Sequence, residues 1–413
     1  MNQLKGGHSM IELSKACVKQ LETKDAVLMP YYDTSDPRYF DKGKKKMADT
    51  KKKPAKKKAV KKVIKKPPSL PIKSIQHDLF SDFLTNDVSE VSNTVEYWER
   101  IPKYFLSPQE QKSLRTAEGL AKPYTQEYIL RGQNGEPLPY KVRVQPALIE
   151  QDNGEFMAFF PTKSEEIIEE VLKKIFTEQN LGIHDARNSE SWVRFSYSMI
   201  NKELRKNKCS RTHQQIKHSL EVMSKCVLTV FEEGEEIYSN PIINNYIKVD
   251  RKKYLEDTKA LHVAQLSVFI SHAVNTLQYR QFNLKRLTSC KEQLSGWILR
   301  RLIERFTYAS LITTHDLYYS SMKAASLLLR SSREIDNRIK VIKALEELQE
   351  NGTIYSYEIE EKREGRKIVD VKYRITPSSE FSSEQKAANK RANIIEQKAV
   401  KNDLQIVDKS KSK

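Results

Sequence analysis

Basic and long polar side chains that could bind nucleic acid are concentrated between residues 201 and 220. This stretch contains six Lys or Arg residues against one acidic residue, Glu203. Lys and Arg bind phosphates, and long polar side chains pair with base edges in a DNA groove. The candidates for DNA contact are Arg205, Lys206, Lys208, Arg211, His213, Gln214, Lys217 and His218. Gln214 could pair with adenine and Lys217 could reach guanine or a phosphate, whereas a solvated helix face is the alternative interpretation of such a charge run.

A second group of such side chains lies between residues 330 and 366. Six of them fall on or beside a predicted helix, and three surround the predicted turn of a hairpin. In chain order the candidates are Arg330, Arg333, Asn337, Arg338, Lys340, Lys343, Lys362, Arg363 and Arg366. Those on the helix are predicted to face outward, so both the helix and the hairpin are predicted to contact DNA.

The residues needed for DNA cleavage or nucleotide hydrolysis do not occur in the required patterns. A metal-assisted tyrosine nuclease needs two histidines flanking one hydrophobic residue, and none of the eight histidines has this spacing. No glycine begins a G-x-x-x-x-G-K-[ST] phosphate-binding loop. The four cysteines, Cys17, Cys209, Cys226 and Cys290, form no C-x-x-C pair, so neither a zinc site nor a disulfide framework is expected. The sequence therefore predicts a protein without catalytic residues, metal or cofactor.

The first basic group lies within a predicted series of three helices and a hairpin. The segment SEEIIEEVLKKIF, which starts at residue 164, has apolar residues at helical spacing. The second helix is predicted to contain the apolar residues Trp192, Phe195, Met199, Ile200 and Leu204. Thr212 and Gln215 fit a capping box at the start of the third helix. The apolar residues of that helix are Ile216, Leu220 and Met223. The strand, turn and strand that follow predict the hairpin, or wing, of a winged-helix domain.

The same order of elements is predicted again downstream, without a simple sequence repeat. Three helices are predicted in KEQLSGWILRRLIERF, DLYYSSMKAASLLLRS and EIDNRIKVIKALEELQENG. The residues of the third helix predicted to face inward are Ile335, Ile339, Ile342, Leu345 and Leu348. Gly352 fits the C-terminal cap of this helix. The alternating segment KIVDVKYRI predicts the second strand of another wing.

Two further elements are predicted outside these series. The segment from Tyr128 to Glu150 has alternating apolar residues around Asn134-Gly135, which predicts a β-hairpin. The segment KALHVAQLSVFISHAVNTLQYRQFN, around residues 259–283, is predicted to be a helical connection between the two winged-helix domains. The predicted fold class is therefore α+β, with tandem winged-helix domains.

The positive charge of the chain is concentrated at its ends. The 413 residues carry a net charge of +18, of which residues 1–73 contribute +13, with 20 basic and 7 acidic residues, and residues 382–413 contribute +4. A Lys-rich, Pro-punctuated segment cannot bury enough apolar surface to fold, but it can bind a polyanion. The predicted organisation is a disordered basic arm with a possible short helix (1–74), two winged-helix domains (75–255 and 256–381) and a disordered polar tail (382–413).

No stretch of the sequence is apolar enough to cross a membrane and no signal peptide is recognised, so a cytoplasmic protein is expected.

About three quarters of the chain resembles the plasmid replication initiator (Rep) proteins of bacteria. The resemblance is carried by NTVEYWERIPKYFLSPQEQ, VQPALIE, FFPTKSEEIIEEVLKKIF, FSYSMINKELRKNKCSRTHQQIKHSLEVMSKCVLTVFE and RIKVIKALEELQENGTIYSYEIEEKREGRKIVDVKYRITPSSEF.

The resemblance implies a specific set of activities and partners. Such proteins bind direct repeats, called iterons, in double-stranded origin DNA through two winged-helix domains. The resemblance further implies a homodimer that represses, a monomer that initiates, opening of the origin, recruitment of the host initiator DnaA and the replicative helicase, and association with a plasmid or the nucleoid. The alternatives are a winged-helix transcriptional regulator and a nonspecific architectural protein that binds DNA mainly through its basic arm.

Overall fold

The computed structural model describes residues 91–131, 136–178, 181–206, 209–249 and 261–401. The predicted basic arm, the predicted start of the core near residue 75 and the Asn134-Gly135 turn lie outside the described residues. Within them the protein is a mixed α+β structure, as the sequence predicts. No helix in the described ranges is long and apolar enough to cross a membrane.

The helices and strands are numbered here in chain order. Those up to residue 247 are β1 (Val91–Thr94), α1 (Glu96–Arg100), α2 (Pro108–Leu114), β2 (Tyr124–Arg131), β3 (Pro137–Gln145), β4 (Ala147–Glu150), β5 (Phe156–Phe159), α3 (Lys163–Phe176), β6 (Gly182–Asp185), β7 (Glu190–Phe195), α4 (Tyr197–Lys206), α5 (His213–Lys225), β8 (Val227–Glu232), β9 (Glu235–Pro241) and β10 (Asn244–Ile247). Those after residue 260 are β11 (His262–Gln265), α6 (Val268–Thr276), β12 (Arg280–Asn283), α7 (Leu284–Ser289), α8 (Gln293–Arg305), β13 (His315–Tyr318), α9 (Tyr319–Ser326), α10 (Glu334–Glu350), β14 (Ile354–Glu364), β15 (Lys367–Pro377) and α11 (Ser379–Lys401).

Two segments of the described chain each contain a helix, one or two strands, two further helices and a hairpin, in that order. The earlier segment has two strands, β6 and β7, after its first helix, and the later segment has one, β13. We call residues 163–241, from α3 to β9, the first unit, and residues 293–377, from α8 to β15, the second unit. In the second unit the strand before the middle helix, β13, pairs with the hairpin in the sheet β13-β15-β14. In the first unit the corresponding strand, β7, instead belongs to the sheet β10-β11-β7-β6. The two units therefore share the order of their helices and hairpin, but they differ in the number and the pairing of the strands between the first two helices.

The three hairpins predicted from the sequence are present. β2 and β3 are antiparallel from Tyr124 opposite Val144 to Arg131 opposite Pro137. β8 pairs with β9 and also with β3, so the hairpin of the first unit lies inside a four-stranded sheet, β2-β3-β8-β9. β14 and β15 form the hairpin of the second unit and turn at Gly365, whose φ of +61° suits a residue without a side chain.

The prediction of a single second helix in each series is wrong at its beginning. Trp192 and Phe195 lie in β7, and α4 starts only at Tyr197. In β7, Val193 and Phe195 are buried on either side of the exposed Arg194, which is the two-residue period of a strand. The downstream segment likewise begins with β13 and becomes helical at Tyr319.

The predicted helical connection over residues 259–283 is also wrong in most of its length. Within the described part of this segment, residues 261–283, only Val268–Thr276 is helical, and the flanking strands β11 and β12 pair with β7 and β1 respectively. Leu277 ends the helix in the left-handed conformation, with φ of 56°. The predicted domain boundary at 255/256 lies outside the described residues.

The prediction of a disordered tail from residue 382 is wrong as far as residue 401, because α11 continues to Lys401. Phe381, Gln385, Ala388 and Ile395 are buried, and their spacing places them along one face of a helix. The Arg280 guanidinium donates hydrogen bonds to Gln385 (2.6 Å) and to Asn389 on the same helix. This packing uses few large apolar residues, so the composition of the segment is polar and predicts disorder. Residues 402–413 lie outside the described ranges.

Two apolar cores lie on either side of a buried group of charges. One core is built mainly from residues 95–274 and the other from residues 282–381. Between them the guanidinium of Arg300 on α8 contacts Glu166 (2.5 Å), Glu170 (3.0 Å) and Glu99 (3.4 Å). Lys173 contacts Glu170 at 2.7 Å and also pairs with Glu99. We call these five residues the buried ion network.

Opposite charges offset much of the cost of burial in the ion network, whereas burial still raises the pKa of Glu170. Burial alone would raise the pKa of Glu99, but the nearby Lys173, Lys103 and Arg300 together lower it to about 2. Burial would likewise lower the pKa of Arg300, yet Glu166, Glu170 and Glu99 hold it well above its ordinary value. The network is therefore a set of mutually dependent charges that joins the two cores.

His262 gives the folded protein a predicted dependence on pH. Its Nδ1 accepts a hydrogen bond from the Val249 amide (3.0 Å), and burial followed by the charge of Lys248 lowers its pKa. The unfolded state therefore binds more protons just below the ordinary histidine pKa, so the free energy of unfolding should fall as pH decreases from about 7.5 to about 5.5, by about 1 kcal/mol or less from this residue. Urea unfolding at the two pH values measures the loss.

His262→Gln should make the pH dependence shallower, and His213→Gln at an exposed position serves as the matched control. An unchanged slope in His262→Gln would contradict the assignment.

Candidate nucleic-acid interface

The start of α5 is fixed by the predicted capping box, which is confirmed. Thr212 Oγ1 accepts a hydrogen bond from the Gln215 amide (3.1 Å), and Gln215 Oε1 accepts one from the Thr212 amide (2.9 Å). These bonds satisfy amides that the helix itself leaves unpaired. The box therefore sets the position at which the side chains of α5 begin to face outward.

The predicted faces of α5 are also present. Ile216, Leu220 and Met223 are buried. His213, Gln214 and Lys217 are exposed. His218 is half-buried, because its ring packs edge-on against Phe159 with 4.6 Å between ring centres. The exposed face thus retains three of the four DNA-contact candidates on this helix.

The basic residues around the turn before α5 have different surroundings. Arg205 and Lys206 are exposed at the end of α4, and Lys206 also pairs with Glu203 at 2.6 Å. Arg211 is partly exposed and donates a hydrogen bond to the Ser210 carbonyl (3.1 Å). Lys208 lies outside the described residues. The described members of this group therefore surround the N-terminal end of α5.

Gln214 and His218 line a surface groove of about 700 Å³ beside α2. The same groove contains Lys112 and Arg115, which the sequence prediction does not include. The Arg115 guanidinium lies 4.7 Å from the ring centre of Phe159 and donates to the Ala158 carbonyl (2.7 Å). Lys112 on α2 and Arg115, which directly follows it, therefore add positive charge next to the outward face of α5.

In the second unit, three of the six candidates on or beside α10 are exposed. Arg333 precedes α10 with 74% of its side chain exposed, and Lys340 and Lys343 are exposed along the helix. Arg338 is half-buried. Arg330 is occupied by protein groups, since it donates to the Phe105 carbonyl (2.7 Å) and to Glu110 (2.6 Å).

The outward orientation predicted for Asn337 is wrong. Its side chain is fully buried, its Oδ1 accepts a hydrogen bond from the Ser331 amide (3.0 Å), and its Nδ2 donates to the Ser331 carbonyl (2.9 Å). This pair of bonds ties the loop before α10 to the helix. Apolar periodicity could not reveal it, because the inward position is taken by a polar residue that finds its partners on the backbone.

The inward orientation predicted for Ile335 and Ile339 is also wrong, because the buried side of the helix includes the polar Asn337. The buried side of α10 consists of Asn337, Val341, Ala344, Leu345 and Leu348. Ile335 and Ile339 are instead 51% and 44% exposed. At the other end of the helix the predicted cap is confirmed, because Gly352 follows Asn351 with φ of +70° and its amide donates to the Gln349 carbonyl (3.1 Å).

The candidates on the second hairpin surround its turn. Lys362, Arg363 and Arg366 are all exposed. Arg363 pairs with Glu361 at 2.5 Å, and its side chain remains 54% exposed. Such a pair in water is weak and can exchange for another anion.

A groove of about 1050 Å³ lies between the sheet β2-β3-β8-β9 and the second unit. Its basic lining residues are Lys141, Arg143, Lys323, Arg338 and Lys367. Its acidic lining residues are Glu127, Glu233, Glu334 and Asp370, so its charge is mixed. Beside the groove, Arg131 on β2 donates a hydrogen bond to the Ser321 hydroxyl on α9 (3.1 Å), which joins the two sides.

The sequence prediction misses Lys141 and Arg143, although a signal for them exists. In the segment KVRV, Val142 and Val144 are buried, so the intervening basic residues face the opposite side of β3. The Arg143 guanidinium lies 4.9 Å from the ring centre of Phe231. A two-residue alternation of valine and basic residues in a strand would have identified this surface.

No group of three or more His, Cys, Asp or Glu side chains that could hold a metal ion occurs in the part of the chain that the structure describes. Three of the four cysteines fall in that part, and all three are unpaired: Cys226 and Cys290 are buried and Cys209 is partly buried. Burial raises the pKa of both buried thiols, which keeps them protonated.

The chain was compared with known families, curated proteins and solved structures. No family model matches it, and no curated protein matches it. Among solved structures it is similar to domains 2 and 3 of RctB, with 10% identity, 68% of this chain and 97% of that chain covered, and a TM-score of 0.41. It is also similar to the Pi initiator protein in complex with iteron DNA, with 12% identity, 71% and 99% covered, and a TM-score of 0.31.

Proposed function

We propose that this protein is a sequence-specific DNA-binding replication initiator that contacts double-stranded DNA through two winged-helix units. The observation that carries the proposal is the shared order of a helix, one or two strands, two further helices and a hairpin, with exposed basic residues on the last helix of both units. In a helix-turn-helix, this last helix enters the major groove and its N-terminal residues contact base edges. The two units thus offer two recognition helices in one chain.

In each unit, side chains on the last helix and side chains around it contact different parts of the DNA. In the first unit Gln214 and Lys217 are the base-contacting residues, and Arg205 and Arg211 hold phosphates that fix the position of α5. In the second unit Lys340 and Lys343 act along α10. Lys362, Arg363 and Arg366 at the hairpin turn contact the neighbouring backbone.

The acidic residues at the start of α10 are compatible with an approach to DNA. Glu334 accepts hydrogen bonds from Tyr319 and Lys323, and Lys323 holds its pKa below the ordinary value. Asp336 lies 3.8 Å from Arg333 and accepts a hydrogen bond from Ser331 (3.2 Å). Protein partners therefore compensate these negative charges before DNA arrives.

The proposal includes the steps that the resemblance to plasmid initiators implies. The protein binds direct repeats, and several copies on adjacent repeats strain the duplex until an A·T-rich segment opens. A dimer represses and a monomer initiates, and the host initiator DnaA and replicative helicase are then recruited. No catalytic residue, metal or cofactor takes part in this mechanism.

The proposal is tested by titrating DNA binding at several salt concentrations. The full chain should bind a direct-repeat array from the DNA that flanks its gene more tightly than a scrambled array of equal composition. The double variant Lys340→Gln, Lys343→Gln should lose about tenfold in affinity for the array and reduce the salt dependence by about two counterions. Lys386→Gln, Lys390→Gln on α11 makes the same charge change at exposed positions and is the matched control.

Removal of residues 1–74 separates this proposal from binding by the basic arm alone. The shortened chain should bind more weakly to both DNAs and still prefer the repeat array. Equal binding to both arrays by the full chain, lost once the arm is removed, would show a nonspecific architectural protein. Any C-terminal truncation should begin after residue 401, because α11 packs on the core.

A further inference from the structure

Two isoleucines occupy the exposed face of the recognition helix that we assign in the second unit. Ile335 and Ile339 are separated by four residues, so their side chains lie one turn apart on the same face of α10. At 3.6 residues per turn, Ile339 points away from the side that buries Val341 and Asn337. About half of each side chain is accessible to solvent.

The surroundings of this pair favour DNA over a protein as its partner. Lys340 and Lys343 are exposed near Ile339, and the exposed Arg333 precedes the helix. The acidic neighbours of Ile335, Glu334 and Asp336, are paired with Lys323 and Arg333. A face where aliphatic side chains are mixed with basic ones fits the major groove, which presents thymine methyl groups beside phosphates and acceptor atoms. Both isoleucines also lie in the N-terminal half of α10, the part that reaches base edges in a helix-turn-helix.

The buried position of Asn337 strengthens this argument. An asparagine on the outer face could pair with adenine, but here both ends of its amide are bonded to Ser331. The first two turns of α10 therefore present no amide to the bases. The side chains left at the middle of that face are aliphatic, and an aliphatic group distinguishes bases by contact with a methyl group.

We propose that Ile335 and Ile339 read the C5-methyl groups of thymines in the major groove, so that the site bound by α10 contains thymine at defined positions. The inference rests on the proposed function and adds the base class that the second unit selects. Each contact removes one methyl group from water, which corresponds to a preference of about fourfold for thymine over uracil.

The experiment uses the full chain and a duplex selected by it from a randomised pool at fixed salt. Each thymine of the duplex is replaced in turn by uracil, which removes the methyl group and keeps the base pair. One or more positions should weaken binding about fourfold. Those losses should disappear in Ile335→Ala or Ile339→Ala, which makes each comparison a double-mutant cycle between one side chain and one methyl group.

Ile394→Ala is the matched control, because Ile394 is 45% exposed on α11. It should retain every uracil effect, and urea unfolding establishes that all three variants are folded. The methyl-reading inference is overturned, and the proposed function stands, if the chain selects a duplex but uracil does not weaken binding to it. The same conclusion follows if uracil weakens binding by both α10 variants as much as binding by the parent protein. Loss of self-association without a change in the uracil profile would assign the pair to a protein contact instead. If the chain selects no duplex, both the inference and the proposed function fail.

Discussion

Replacing Arg300 by methionine is expected to lower the free energy of unfolding by about 3–5 kcal/mol. Its side chain is only 10% exposed and holds Glu99, Glu166 and Glu170 of the buried ion network. Methionine fills similar volume but leaves three carboxylates facing the single ammonium of Lys173 within that network. The cost comes from carboxylates that remain buried without enough positive charge, more than from the loss of any one ion pair.

Urea unfolding at neutral pH measures this loss, and Arg363→Met provides the matched control. Arg363 also pairs with a glutamate but is 54% exposed, so its replacement should change the free energy of unfolding by less than about 1 kcal/mol. The difference between Arg300→Met and the parent protein should shrink as pH falls, because protonation discharges the carboxylates that have lost their partner. A loss as small as that of the control would contradict the importance of the network.

Replacing Asn337 by leucine is expected to lower the free energy of unfolding by about 2–4 kcal/mol. Leucine is similar in size to asparagine but can neither accept from the Ser331 amide nor donate to the Ser331 carbonyl. Both backbone groups would be left without their partner beside a fully buried side chain. Chemical denaturation measures this effect, and Asn393→Leu on the exposed side of α11 should change stability by about 0.5 kcal/mol or less.

The same variant separates a structural role of Asn337 from a role in base recognition. Where Asn337→Leu remains folded, its preference for the repeat array over the scrambled array should equal that of the parent protein. A stable variant with altered base preference would instead restore the outward orientation predicted from the sequence. The measurement is the ratio of the two affinities at one salt concentration, because affinity alone also depends on the fraction of folded protein.

The sequence predicts well those elements whose signals are local. The Thr212–Gln215 capping box, the helix at Lys163–Phe176 and the hairpins all follow from residues that are close in the chain. A box of this kind combines backbone geometry and side-chain chemistry within four residues. Local signals of this type were sufficient to place both α5 and α10.

Predictions fail where distant contacts decide the outcome. Trp192 and Phe195 fit a helical stripe with the residues that follow, yet β11, which is far along the chain, pairs with them in a sheet. Predictions also fail where a polar residue takes a buried position: the helical face of α10 is set by Asn337 binding Ser331, a nearby contact that apolar periodicity does not record. α11 is ordered by Arg280 and by a core that its own sequence does not contain.

The two hairpins differ in mechanical stiffness because their neighbours differ. Both strands of the β8–β9 hairpin belong to a sheet that also contains β2 and β3. The β14–β15 hairpin is longer, and β13 accompanies it only from Lys372 to Ile375, so its outer half is a ribbon of two strands. Isolated two-stranded ribbons twist and bend readily. If the chain binds a bent duplex as we propose, the first unit would therefore keep its shape, and the two-stranded outer half of the β14–β15 hairpin would bend with the DNA backbone.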